Sequence, residues 1–213
     1  MRVSIDMHQR RPPDGPCLDL VLLRHGPTVW NEEKRFQGWE DPALSDAGRA
    51  RAERLAVRLA GEQLDHIYSS DLRRARETAA IVFPGRTIAV DERLRELHFG
   101  ELEGHTHDEC EERFGDPFRS WVRDPASHDP PGGEGLASFR ERVAGWMADL
   151  PAKGHVGMVA HSGTVHLVLA EILGAPYPSV ARIRISGCGI SRVRRWPDGG
   201  WSVECLNDTT HLP

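Results

Sequence analysis

The sequence predicts an α/β protein, a three-layer α/β/α sandwich with a mainly parallel central sheet, and three observations carry that expectation. Strand-like apolar runs alternate with helix-like ones along the chain, the pattern of strands joined by covering helices. The first run, Leu18 to Leu23, is apolar almost throughout and reads as a strand buried on both faces. At 213 residues the chain is long enough for layers on either side of a sheet. No linker divides it, so residues 17–213 read as one domain behind a flexible N-terminal arm over 1–16.

After that strand and a polar loop, Ser45 caps a helix from about Asp46 to Ala60, with Ala52, Leu55, Ala56 and Leu59 forming a buried stripe before Gly61 ends it. His66 to Ser69 is a short strand. Ser70 is expected to cap a second helix whose Leu72, Ala75, Ala79 and Val82 face inward and which Pro84 and Gly85 stop. Thr87 to Val90 reads as a third strand. From Gly104 to Gly135 the chain turns polar, a lid-like excursion of short helices and loop. Leu136, Phe139, Val143, Trp146, Met147 and Leu150 then form the stripe of a long helix. Val156 to Ala160 is the next strand, and Thr164 to Leu173, apolar on nearly every side, a buried helix ended by Gly174 and Pro176. Ile183 to Arg195 and Trp201 to Leu206 complete the sheet as an antiparallel hairpin turning at Pro197 to Gly200.

Composition narrows the function. Hydrophobic content of 39%, charged content of 28% and a net charge of -5 describe an ordinary soluble protein without the cationic face that nucleic-acid binding needs. No apolar run reaches membrane-spanning length, and the basic N-terminus lacks a signal-peptide core, so a cytoplasmic protein with no membrane partner is expected. Cys17, Cys110, Cys188 and Cys205 form no CxxC pair and encode neither a zinc site nor a disulfide framework. His105, His107 and Asp108 have metal-like spacing but no further ligands nearby, and read as a polar loop.

In open α/β sheets, residues that directly follow strands gather at one edge. Arg24 and His25 follow the first strand, Arg74 lies one helical turn after the second, Glu96 follows the third, and His161 follows Ala160. Two arginines, two histidines and an acid make a phosphate site with a proton donor. A neutral imidazole can attack phosphorus, and guanidinium forks suit phosphate oxygens. Glu92 could take the place of Glu96 as the inward acid, while Glu101 and Glu103 read as a solvated turn.

The segments LLRHGPTVWN, RFQGWEDPALSDAG, YSSDLRRARETA, LRELHFGELEG, PPGGEGLASFRERV and VAHSG, in this order, resemble the histidine phosphatase superfamily, also called phosphoglycerate mutase-like. That resemblance implies the phosphoglycerate mutase-like fold, a phosphorylated nucleophile at His25, phosphate binding by Arg24, Arg74 and His161, and proton donation by Glu96. Asn31 and Gln37 match positions lining the pocket beside the phosphate. Gly38 and Ser162, the latter opening the helix after His161, are grouped with them as substrate-binding. Neither metal nor cofactor is implied. Within the superfamily the chain is most similar to α-ribazole phosphatase, which implies hydrolysis of a small-molecule phosphate ester. That ester is α-ribazole 5′-phosphate or one of a range of sugar and nucleotide phosphates. The alternatives are mutase-type transfer and a non-catalytic relative that binds a phosphorylated ligand. A homodimer is compatible with the sequence. Pro27 after the RHG triplet, HSG in place of HGG, and His166 where arginine is frequent depart from the family's pattern and bear on specificity.

Overall fold

The computed structural model describes residues 15–213, so the expected arm lies outside the described residues except for Gly15 and Pro16. A six-stranded sheet carries the fold: β1 (Leu18–Arg24), β2 (His66–Ser69), β3 (Ala89–Val90), β4 (Gly154–Ala160), β5 (Ile190–Arg195) and β6 (Trp201–Asp208), in the order β3-β2-β4-β1-β5-β6. Strands β3, β2, β4 and β1 run parallel, and β5 and β6 add an antiparallel edge.

Strand β1 shows why the sheet is covered twice. Its side chains alternate across the sheet, so Leu18, Leu20 and Leu22 join one buried cluster while Val21 and Leu23 join the other. The first cluster includes Phe139, Val143 and Trp146 of α6 (Leu136–Ala148) and Val165, Leu167 and Val168 of α7 (Ser162–Leu173). The second includes Ala52, Leu55 and Leu59 of α2 (Asp46–Leu59) and Ala75, Ala79 and Val82 of α3 (Arg73–Val82). A one-residue slip of β1 would exchange the two sets, which pins its register. The remaining α-helices among the described residues are α1 (Val29–Glu32), α4 (His107–Phe114), α5 (Asp116–Arg123) and α8 (Tyr177–Val180).

Register brings the chemistry to one edge. Arg24 pairs with Ala160 and Ser69 with Val159, so β1, β4 and β2 end side by side. The ladder continues one step further, through His25 N–H to Ala160 O at 2.9 Å and Ser70 N–H to Val159 O at 3.0 Å. His25, Ser70 and His161 are therefore neighbours by backbone geometry before any side-chain contact is considered.

Several expectations need correction. Leu72, not Ser70, is the N-cap of α3, and no side chain caps it; the Ser70 hydroxyl is committed elsewhere, as shown below. Thr87 to Val90 forms only two strand residues, because β3 is an edge strand paired with β2 alone. The long run Ile183 to Arg195 is strand only from Ile190. Cys188 has a φ of 63°, and that left-handed step breaks the extended chain before it can join the ladder. His107 and Asp108 belong to the first turn of α4, whose Thr106 and Glu109 form a reciprocal capping box.

The excursion from 104 to 135 is anchored rather than loose. Phe118 and Trp121 of α5 are buried, and with Phe36 and Phe99 they form an aromatic cluster with ring centroids 5.4–6.1 Å apart. Trp121→Ala is expected to lower stability by about 3–5 kcal/mol, read as a drop in the thermal midpoint.

Candidate active site

His25 leaves the end of β1 at 4% exposure, and its Nδ1 donates to the Gly26 carbonyl at 2.7 Å. That bond assigns the proton to Nδ1 and leaves Nε2 with its lone pair and no hydrogen-bond partner. Gly26 does not need a positive φ here. It is required by space, because a Cβ on it would lie 2.7 Å from the Gly48 carbonyl at the start of α2. The Gly26 N–H donates to Thr78 Oγ1 at 2.9 Å, and the same hydroxyl donates to Arg74 O at 2.7 Å. Thr78 thus ties the turn after His25 to the helix that carries Arg74.

Arg74 is buried and Arg24 half-buried, and both are oriented by carbonyls. Arg24 Nη1 donates to Ile185 O at 2.6 Å; Arg74 donates to Gly38 O at 2.7 Å and Glu40 O at 3.0 Å. Burial lowers the Arg74 guanidinium to about 10 and shifts Arg24 down as well, so both keep their charge at neutral pH. Their charges act on His25 and His161, whose rings are 5.1 Å apart. Burial, reinforced by Arg74 and Arg24, holds His25 well below the ordinary histidine range. His161 is held low by burial, then by Arg74, His25 and Arg24. Both imidazoles are therefore neutral at neutral pH.

His161 caps α7 by position, and its Nε2 lies 3.0 Å from Ser70 Oγ. Since that hydroxyl already accepts the Leu72 N–H, its own proton is available to Nε2, a tautomer that keeps the hydrogen on His161 Nδ1. Ser70 is thus the partner of His161, a role its place after β2 could have suggested.

Among the described residues, five buried side-chain nitrogens lack a partner: Arg24 Nε, Gln37 Nε2, Arg74 Nε, His161 Nδ1 and His211 Nδ1. Four of them belong to the predicted site. Unsatisfied buried donors are costly, and their concentration here marks a place shaped for an anion.

Glu96 is 8% exposed, and its carboxylate accepts the Leu97 N–H and the Gly163 N–H, each at 3.0 Å. Glu92 is solvent-facing, with its side chain 77% exposed, which resolves the alternative in favour of Glu96. The Gly163 amide, in the first turn of α7, is thereby given to Glu96. A Cβ at 163 would displace the Glu96 carboxylate from this position.

Gln37 is buried, and its Oε1 accepts the Thr28 hydroxyl at 2.6 Å, which leaves Nε2 as the free donor. Asn31 Oδ1 accepts the Thr28 N–H at 3.1 Å in a capping box around α1. Its carbonyl end is thereby spent on the turn after His25 rather than on ligand. Gly38 contributes its carbonyl to Arg74, and Ser162 stands half-buried at the first position of α7. Glu103, expected on a solvated turn, is a buried strut. Its carboxylate accepts the N–H groups of Trp39, Glu40 and Phe99 at 3.0, 2.6 and 3.0 Å, fixing the loop that orients Arg74.

Two neutral buried histidines make stability pH-dependent with a definite sign. Their folded-state pKa values lie below the unfolded one, so the unfolded chain binds more protons as pH falls through about 6.5. Stability is fully present above that pH and declines below it. Thermal melts from pH 7.5 to 5.5 should show the decline, with a shallower slope in His25→Ala.

The chain is similar to known proteins over most of its length. Residues 20–209 match the model of the histidine phosphatase superfamily (branch 1). The "Probable phosphoglycerate mutase GpmB" of Escherichia fergusonii is 36% identical over 204 residues, covering 92% of this chain and 95% of that one. Among solved structures, a putative α-ribazole-5′-P phosphatase from Escherichia coli superposes with a TM-score of 0.85 at 26% identity, covering 90% of this chain and 97% of that one. A mycobacterial glucosyl-3-phosphoglycerate phosphatase gives 0.76 at 32% identity, covering 90% and 99%. A family match over nearly all the described residues, with a relative 36% identical along most of both chains, shows that this chain belongs to the histidine phosphatase superfamily, branch 1.

Proposed function

We propose that this protein is a phosphomonoesterase that hydrolyses a small-molecule phosphate ester through a phosphohistidine intermediate at His25, without a metal ion. The observation that carries this reading is the pairing of an unprotonated His25 Nε2 with a nest of unpartnered buried donors on Arg24, Arg74, Gln37 and His161.

In the first step His25 Nε2 forms a bond to phosphorus as the ester P–O bond breaks. Glu96, carrying a proton at that moment, delivers it to the leaving alkoxide. The guanidinium groups and His161 take the charge that spreads over the three non-bridging oxygens, the task a metal performs in other phosphoryl-transfer sites. The Nδ1–H bond to Gly26 O compensates part of the positive charge that the phosphorylated imidazole develops. In the second step Glu96 accepts a proton from water, whose oxygen attacks phosphorus. The P–N bond breaks and His25 returns neutral.

A feature beside the pocket favours hydrolysis of an ester with an uncharged remainder. A cavity of about 410 Å³ is lined by Trp39, Glu40, Asp41, His98, Gly100, Glu101 and Glu103, four acids with no lysine or arginine. Asp41 Oδ1 lies 3.8 Å from Arg74 Nη1, so this wall adjoins the phosphate cradle. A substrate bearing a second phosphate or a carboxylate meets like charge there. The mutase reading draws on the 36% identity to the relative named above and requires such a second anion to be held. Among hydrolytic substrates, the structural likeness to an α-ribazole-5′-P phosphatase makes α-ribazole 5′-phosphate the first ester to screen.

Turnover of p-nitrophenyl phosphate in the presence of a chelator, with alkaline quenching of a labelled substrate, tests the proposal. The expected result is full activity and alkali-stable, acid-labile label on His25. Chelator-sensitive activity or label on serine would sink it. Isomerisation of a phosphoglycerate faster than its hydrolysis would favour the mutase, and phosphate binding without any turnover the non-catalytic relative.

A further inference from the structure

We propose that Arg142 is a positioning residue for the proton donor: its guanidinium, locked onto Glu134, grips the backbone turn that carries Glu96. This rests on the reading of Glu96 as the general acid, and it adds residues from a different helix and loop to that reading.

Arg142 lies on α6 and spends all five of its N–H donors. Nε and Nη2 meet the two carboxylate oxygens of Glu134, each at 2.8 Å, in a bidentate pair that fixes the plane of the guanidinium. The remaining hydrogens reach Arg93 O at 2.9 Å, Arg95 O at 2.6 Å and Glu96 O at 2.8 Å. Its Cζ sits 4.4 Å over the Phe139 ring, and the side chains of the pair are only 16% and 13% exposed.

The turn is also supported by Thr164 Oγ1, which donates to Leu94 O and Arg95 O at 3.2 and 3.0 Å, by the ion pairs of Arg95 with Asp71 and of Arg93 with Asp91, and by Trp39 Nε1, which reaches Glu96 O at 2.9 Å. Glu96 is thus held at its backbone by α6 and at its carboxylate by the Gly163 amide of α7. A proton donor must stay within hydrogen-bond reach of the leaving oxygen, and a displacement of about 1 Å is enough to lose much of its effect. Lysine, with a compact ammonium and no fork, cannot grip two carboxylate oxygens and three carbonyls at once.

Arg142→Lys and Glu134→Gln, each in the full chain, should be assayed on an alkyl phosphate and on p-nitrophenyl phosphate, whose leaving group needs little protonation. Turnover of the alkyl ester is expected to fall by roughly 30-fold and that of p-nitrophenyl phosphate by less than about threefold. Combined with Glu96→Gln, Arg142→Lys should add no further loss on the alkyl ester, since both changes disable one function. Equal slowing of the two esters, or no slowing of either, would overturn the proposal. The electrostatic effect of Arg142 on His161 would produce equal slowing if it dominated. Should Arg142→Lys fail to fold, Glu134→Gln, which leaves the three carbonyl bonds available, decides the matter by the same criterion. If Glu96→Gln alone shows no dependence on leaving group, the acid assignment itself is wrong. If it does and the Arg142 and Glu134 variants do not, only the positioning role is rejected.

Discussion

His25→Ala should reduce hydrolysis of every phosphate ester by at least about 10⁴-fold while leaving the far-UV circular dichroism spectrum unchanged. The ring makes one hydrogen bond, to Gly26 O, and its removal exposes no charge that needed it. The adjoining backbone is held independently by the Ala160 carbonyl and the Thr78 hydroxyl. Phosphate should still bind, because Arg24, Arg74 and His161 remain, and the neighbouring guanidinium charges no longer face a group that competes for a proton. Residual turnover above about one per cent would place the nucleophile elsewhere. Covalent label retained by the variant would do the same.

Glu96→Gln is expected to slow an alkyl phosphate by about 10²–10³-fold and p-nitrophenyl phosphate by only about threefold. The amide keeps the volume of the side chain, and its oxygen can still accept from Leu97 or Gly163, so the local fold should survive. What it cannot do is release a proton to a poorly acidic alcohol. Comparing the two esters therefore isolates proton donation from binding, and equal slowing would reject Glu96 as the acid. Solvent isotope effects on the alkyl ester should report the proton transfer from Glu96.

Much of this architecture was legible in the residues. Apart from Asp19, the even and odd positions of β1 up to Leu23 are apolar because two layers cover it, and the stripes on α2, α3 and α6 fall where helical spacing places them. Local signals erred where a tertiary partner claimed a side chain or an amide. Ser70 looks like a helix cap, yet its hydroxyl serves His161, 91 positions away. Glu103 sits in a run of polar residues that reads as surface, but three backbone N–H groups draw its carboxylate inside. Asn31 looks like a pocket residue and works first as a capping partner of Thr28, a T-x-x-N spacing visible in the chain.

By itself the sequence determined which residues end the strands, because alternating apolar runs of fixed length leave Arg24, His25 and His161 immediately beyond them. It also determined the family, through ordered motifs spread over most of the chain. Only the tertiary structure decided that His25 and His161 are neutral, since that depends on burial and on guanidinium groups brought close from other segments. It alone chose Glu96 over Glu92, gave the Gly163 amide to that carboxylate, and set Arg142 behind it. Protonation and hydrogen-bond partnership are properties of neighbours in space, and 67 residues separate the two ends of the Glu96–Gly163 bond.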